Sequence, residues 1–137
     1  MENPIVRRIV GVLAGIVVGF IVVAVVESIG HTVFPPPADL DLSKPDDLAR
    51  LMKAIPLAAK IAVVVAWFLG AFAGAATAMW VAKEALPGWI VTALLIAAGL
   101  WTTQLFPHPV WMVVAAIALP VLAALFAKRL MAARLGS

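Results

Sequence analysis

Long apolar runs separated by short polar segments dominate this chain. The first uncharged run covers residues 9–26 and its apolar character continues to about residue 34, and a second run ends at Lys83. A helix rises about 1.5 Å per residue and the hydrocarbon core of a bilayer is about 30 Å thick, so one span needs about 20 residues. Each run therefore predicts one transmembrane helix, and the second is expected to begin near residue 57, after Pro56.

A third run, residues 85–127, contains no Asp, Glu, Lys or Arg. It is roughly twice as long as one span requires. Pro107-His108-Pro109 interrupts it, and proline lacks an N–H donor and disfavours helix at the residue before it. We therefore predict an all-α membrane protein, a four-transmembrane-helix bundle in one domain (1–137), with spans at about 9–34, 57–82, 88–106 and 110–127.

The segment between the first two spans predicts a shorter helix. Ser43 and Asp46 have the spacing of a capping box. Apolar residues then recur on one helical face, at Leu48, Leu51, Met52 and Ile55. We predict a short amphipathic helix over about residues 44–55, in the first outer loop, that lies on the membrane surface or caps the bundle. A solvated linker helix is the alternative.

Composition supports a membrane protein and excludes several classes of function. The chain is 65% hydrophobic and 12% charged, whereas a soluble domain is roughly half apolar and about a quarter charged. It has no cysteine, which excludes disulfides and thiolate chemistry. The net charge of +3 comes without a basic run, so nucleic acid is not an expected partner. We predict the lipid bilayer as the main partner, and no cofactor.

The distribution of basic residues predicts the orientation. Four spans place both termini on one side of the membrane, and cytoplasmic loops are enriched in Lys and Arg. The side with the termini carries Arg7, Arg8, Lys83, Lys128, Arg129 and Arg134, and the other side carries Lys44, Arg50, Lys53 and Lys60 over one longer loop. We therefore predict a bacterial inner (cell) membrane protein with both termini cytoplasmic. The first run is longer than a signal-peptide core and no small-residue cleavage site follows it, so we predict a retained span.

Small residues recur every four positions in the first two spans. The predicted helix-packing residues are Gly11, Gly15, Gly19, Gly70 and Gly74, with Ala66 and Ala78 continuing the second stripe. Membrane helices associate largely through close packing, which such stripes permit. We expect spans one and two to pack against each other within the monomer. The alternative is that one stripe forms the seam of a homodimer.

Polar residues near the outer ends of spans one and three form the candidate polar site. Glu27 and His31 are four residues apart and share a helix face, as do Gln104 and His108. Counted from the inner side, the two pairs reach matching depths. Ionisable residues inside a membrane are costly, which makes them candidates for function.

Three interpretations of this site stay open. Glu27 and His31 form a simple structural pair at the interface, or the site is a water-filled or proton-exchanging pocket. The third is a metal site of Glu27, His31 and His108, which we do not predict because a metal needs three or four convergent ligands with supporting hydrogen bonds.

Two resemblances accompany these residues. Glu-Ser-Ile-Gly-His-Thr, residues 27–32, resembles the Glu-x-Ile-Gly-x-Thr stretch of small multidrug-resistance transporters, which are also short four-span proteins. In that family the first-helix Glu exchanges protons for cationic drugs, and the resemblance implies this role for Glu27. The chain differs from the family in the position of this Glu near the outer end of its span, in its longer outer loop and in its lack of Tyr.

The second resemblance covers more of the chain. Glu-Ser-Ile-Gly-His, then Phe-Pro-Pro-Pro and later Pro-His-Pro-x-Trp resemble small bacterial four-span membrane proteins. This implies the fold and no activity.

The sequence on its own favours a non-enzymatic function. No nucleophile–base pair or phosphate-binding loop is visible, so we predict no catalytic residues and no enzymatic activity. The leading hypothesis is a structural or accessory role, as a monomer, a homo-oligomer or part of a larger membrane complex. The alternative is a small proton-linked transporter or permease that uses Glu27.

Overall fold

The computed structural model describes residues 3–33, 56–105 and 109–132. These residues form four helices, α1 (Pro4–Val33), α2 (Leu57–Ala82), α3 (Leu86–Leu105) and α4 (Val110–Leu130). All four are long and apolar enough to cross a membrane. The predicted all-α bundle of four transmembrane helices is therefore confirmed, and the chain has the character of an integral membrane protein. The predicted surface helix at about 44–55 lies outside the described residues.

The helices extend beyond the predicted spans where charged residues begin. α1 starts at Pro4 and includes both arginines before residue 9, and α4 continues through Lys128 and Arg129 to Leu130. Charge limits the part of a helix that lies in hydrocarbon, but it does not end the helix. Basic residues in the last turn of α4 also complement the negative end of the helix dipole.

A short turn joins α2 to α3 at the end of the bundle where α1 begins and α4 ends, which we call the basal end. The opposite end is the distal end. Lys83 ends α2 in the left-handed conformation, with φ 60°, and its N–H donates a hydrogen bond of 2.8 Å to the Met79 carbonyl. This is a common way to satisfy the last carbonyls of a helix. The turn is therefore compact and holds Glu84 close to the base of α1.

The helices form a rhombus in which α2 and α3 are the central pair. α2 contacts each of the other three helices, and so does α3, whereas α1 and α4 do not contact each other over the described residues. A cluster of Ala75, Met79, Ala124 and Ala127 forms the buried contact between α2 and α4 at the basal end. Small side chains here let the two backbones approach, as membrane helices require.

The glycine stripe of α1 lies against the small-residue stripe of α2. A Cβ atom added to Gly15 would lie 2.6 Å from the Gly74 carbonyl oxygen, and one added to Gly11 would lie 2.9 Å from the Ala78 carbonyl oxygen. Gly19 faces Gly70 in the same antiparallel register. The structure thus places the predicted packing glycines in a contact within the monomer, so this stripe is not free to form a seam between copies.

The third helix is packed tightly only near the basal end. Its buried residues are Pro87, Gly88, Val91 and Thr92, all within its first two turns. Further along α3 the side chains are half-buried or exposed. The distal half of the bundle is therefore less filled than the basal half, and it contains a cavity.

Candidate functional site

Glu27 lies at a cavity between the four helices. The cavity has a volume of about 310 Å³, and each helix contributes to its wall: Phe20, Val23, Ala24 and Glu27 from α1, Trp67 from α2, Leu95, Ala98, Gly99 and Thr102 from α3, and Ala116 and Pro120 from α4. Glu27 is half-buried and is the one ionisable residue among the described residues of this lining. The space is at the small end of the range for ligand pockets, about 300–1,000 Å³.

The rest of the lining is apolar apart from a few hydrogen-bonding groups. The Thr102 hydroxyl donates to the Ala98 carbonyl at 3.1 Å, so its oxygen remains available as an acceptor. Pro120 has no N–H to donate to the carbonyl of Ala116, four residues earlier, and both residues line the cavity. The Glu27 carboxylate and the Thr102 oxygen are therefore side-chain acceptors of the described wall, and α4 lacks one backbone hydrogen bond beside it.

Trp67 adds an aromatic surface to the same cavity. An indole ring attracts a cation placed over its face, and the attraction is stronger where water is excluded. An anionic carboxylate, an aromatic ring and hydrogen-bond acceptors are together suited to a small cation that carries N–H or O–H donors. They are poorly suited to an anion.

Of the other three residues of the predicted polar site, His31 and Gln104 are not among the residues that line this cavity. His31 and Gln104 are exposed, and His108 lies outside the described residues. Within the part of the chain that the structure describes, no ion pair or hydrogen bond joins Glu27 to His31. Gln104 does not line the cavity beside Glu27, so the cavity does not bring these two side chains together.

The physical reason is the rotation of α3. Thr102 lines the cavity, and Gln104, two residues further along, lies about 200° around the helix axis. The prediction chose Gln104 at this end of α3, whereas the residue of this turn that lines the cavity is Thr102. Both Thr102 and Gln104 are visible in the sequence. Which of them faces the cavity depends on the rotation of α3 about its axis, which the sequence pattern does not give.

The structure provides no three-ligand metal site from the described residues. No group of three His, Cys, Asp or Glu side chains that could hold a metal ion occurs among them. Because His108 is not described, the alternative of Glu27, His31 and His108 as ligands stays untested.

A second polar contact, which the sequence analysis missed, lies at the basal end. Nε of Arg8 donates to Oε2 of Glu84 at 2.6 Å, and a terminal nitrogen of Arg8 donates to Oε1 of Glu84 at 2.8 Å. The pair links α1 to the turn between α2 and α3. The hydrogen bonds from Arg8, with the nearby charge of Arg7, hold the pKa of the Glu84 carboxyl below its usual value. The sequence did contain a signal for this pair. Glu84 is an acid in the short turn between the second and third spans, on the side of the membrane where Arg7 and Arg8 were also predicted.

Comparisons with protein-family models, with curated proteins and with solved structures found no match to this chain. The two resemblances drawn from the sequence therefore stay hypotheses.

Proposed function

We propose that this chain is a small proton-linked transporter or permease of the bacterial inner membrane, in which Glu27 binds either a proton or a cationic ligand. The observation that carries the proposal is the position of the Glu27 carboxyl at a cavity of about 310 Å³ bounded by all four helices. A purely structural carboxylate near the interface needs no such space. An intramembrane acid beside a cavity is a default candidate for a functional site.

The lining of the cavity supports a ligand that is small, positively charged and able to donate hydrogen bonds. The Glu27 carboxylate supplies negative charge and hydrogen-bond acceptors, and Trp67 supplies an aromatic surface. Because Pro120 has no N–H, the helical hydrogen bond to the Ala116 carbonyl is missing. A protonated amine with a short apolar body has this chemistry. Since the same carboxylate binds the proton or the amine, binding of one displaces the other.

The experiment measures proton release by the full chain in weakly buffered detergent solution. Phenethylammonium is added as the probe, and a pH-indicator dye reports released protons. We expect saturable release from the wild type and none from Glu27→Gln, whose amide keeps the side-chain shape without a titratable group. Glu84→Gln is the matched control, because it removes a carboxylate at the basal end and should leave the release unchanged.

Infrared spectroscopy tests the same proposal independently of the dye. A carboxyl band that is lost in Glu27→Gln should titrate at lower pH when phenethylammonium is present, because the cation competes with the proton. If the band is insensitive to the amine and no proton is released, the transport proposal is wrong.

The structural or accessory role is the second candidate, and the exposure of His31 and Gln104 favours it. These side chains do not add to the cavity, so its polar content is small. Under this proposal the chain acts within a homo-oligomer or a larger membrane complex. A pulldown in mild detergent followed by mass spectrometry would then recover a stoichiometric partner, and Glu27→Gln would not change its recovery.

A further inference from the structure

The two ends of the bundle differ strongly in charge. At the basal end the described cations are Arg7 and Arg8 on α1, Lys83 after α2, and Lys128 and Arg129 in the last turn of α4, and Glu84 is the described acid there. At the distal end the described charged residues are Lys60 and Glu27, with His31 beyond them. The positive charge is thus concentrated at one end.

Ion pairs among the described residues neutralise little of this charge. Arg8 and Glu84 form the only ion pair of the described residues. The other described basic residues of this end form no ion pair with a described carboxylate: Arg7, Lys83, Lys128 and Arg129. We call these four residues the basal rim. Within the part of the chain that the structure describes, Nε of Arg7 is also buried without a hydrogen-bond acceptor. A buried donor without an acceptor is rare in folded proteins and costs free energy.

The surface next to the basal rim is apolar. Trp80, Leu86, Phe126 and Leu130 are each more than half exposed, and they lie within a few residues of the basal rim on the same helix ends. A partner that covers both surfaces must present negative charge at the helix ends and apolar groups along the helix sides. A soluble acidic protein or a free anion provides only the first of these.

We propose that the basal rim binds the headgroups of anionic phospholipids, with the acyl chains lying along the exposed apolar residues. Phosphate oxygens accept hydrogen bonds from guanidinium and ammonium groups, and Arg is suited to bidentate contact with them. Clusters of basic residues beside transmembrane helices attract anionic lipids over about one Debye length. This inference does not involve the cavity and is independent of the proposed transport function.

The experiment uses the full chain purified in an uncharged detergent. Its thermal unfolding midpoint is measured by tryptophan fluorescence after addition of phosphatidylglycerol or phosphatidylcholine with the same acyl chains. We expect phosphatidylglycerol to raise the midpoint more than phosphatidylcholine does, and high salt to remove the difference. Inorganic phosphate at the same concentration should have no effect, which distinguishes a lipid headgroup from a free anion.

The variants locate the effect. Lys128→Gln combined with Arg129→Gln should reduce the difference between the two lipids, and both side chains are exposed, so the fold should persist. Arg7→Gln should reduce it separately. Lys60→Gln at the distal end is the matched control, since it removes one positive charge outside the basal rim and should preserve the difference.

Two results would overturn the proposal. One is an equal effect of the two lipids on the wild type. The other is an equal loss of the lipid difference in Lys60→Gln and in Arg7→Gln, which each remove one positive charge, because this would show a response to net charge and not to the basal rim. Native mass spectrometry of the same samples, counting bound phosphatidylglycerol, provides a readout that does not depend on stability.

Discussion

At the scale of single residues, the two acids of the described helices and turns have different environments. Glu27 lies at the cavity with no ion pair among the described residues, whereas Glu84 is held by a bidentate contact with Arg8. The first arrangement leaves a carboxylate available for a ligand. The second uses a carboxylate to fix the base of α1 against the turn between α2 and α3.

The Arg8–Glu84 pair should make stability depend on pH. The pKa of Glu84 is lowered in the folded state, so its contribution is fully present above the usual Glu value of about 4.3 and is lost as pH falls through the lowered value. We expect the unfolding midpoint of the wild type to exceed that of Glu84→Gln at neutral pH, and the two to converge in acid. The check is thermal unfolding in detergent from about pH 7 to about pH 3. A constant difference over this range would show that the ion pair does not stabilise the fold.

At the scale of elements, close contact between α1 and α2 organises the bundle. The two helices approach so closely that backbone atoms of one occupy the space where side chains of the other would lie. Lipid tails compete for apolar contact, so shape and proximity decide which helices pair in a membrane. The helices pack closely in the basal half of the bundle, whereas the cavity lies between them in the distal half.

Enlarging Gly15 should separate α1 from α2. A side chain there meets the Gly74 carbonyl oxygen at 2.6 Å, and a backbone group cannot rotate away. We expect Gly15→Leu to lower the free energy of unfolding by at least about 1–3 kcal/mol, the usual cost of overpacking. Val17→Leu is the control, because Val17 is 56% exposed on the outer face of α1, and it should be nearly neutral. Equal unfolding midpoints in detergent for the two variants would contradict this account of the packing.

At the scale of the whole molecule, the two ends of the bundle differ in charge and in packing. The basal end is closed by small residues and the Arg8–Glu84 pair, and the cavity lies in the distal half. If the basal end is cytoplasmic, as the positive-inside rule predicts, Glu27 is nearer to the outer side of the membrane.

Cysteine labelling tests this orientation. The protein has no native cysteine, so Ser43→Cys and Ser137→Cys each introduce one reactive site. We expect a membrane-impermeant maleimide to label intact cells at position 43, and to label position 137 only after permeabilisation. Labelling of both positions from outside would contradict four spans with cytoplasmic termini.

The sequence by itself determined the four transmembrane helices of the described residues, their approximate bounds and the stripe on which α1 meets α2. Backbone groups in lipid must be satisfied within a helix, so a long apolar run is sufficient to predict a span. The four-residue spacing of Gly11, Gly15 and Gly19 likewise places them on one face of α1 whatever the rest of the chain does.

Only the tertiary structure decided which polar side chains meet. Thr102 and not Gln104 lines the cavity because α3 has one particular rotation against its neighbours. Arg8 contacts Glu84 because the short turn between α2 and α3 places Glu84 next to the start of α1. Rotation and register between helices depend on all the contacts at once, and a step of two residues changes the direction of a side chain by about 200°. A pattern along one helix therefore gives the depth of a polar residue, whereas its partners follow from the packing of the other three.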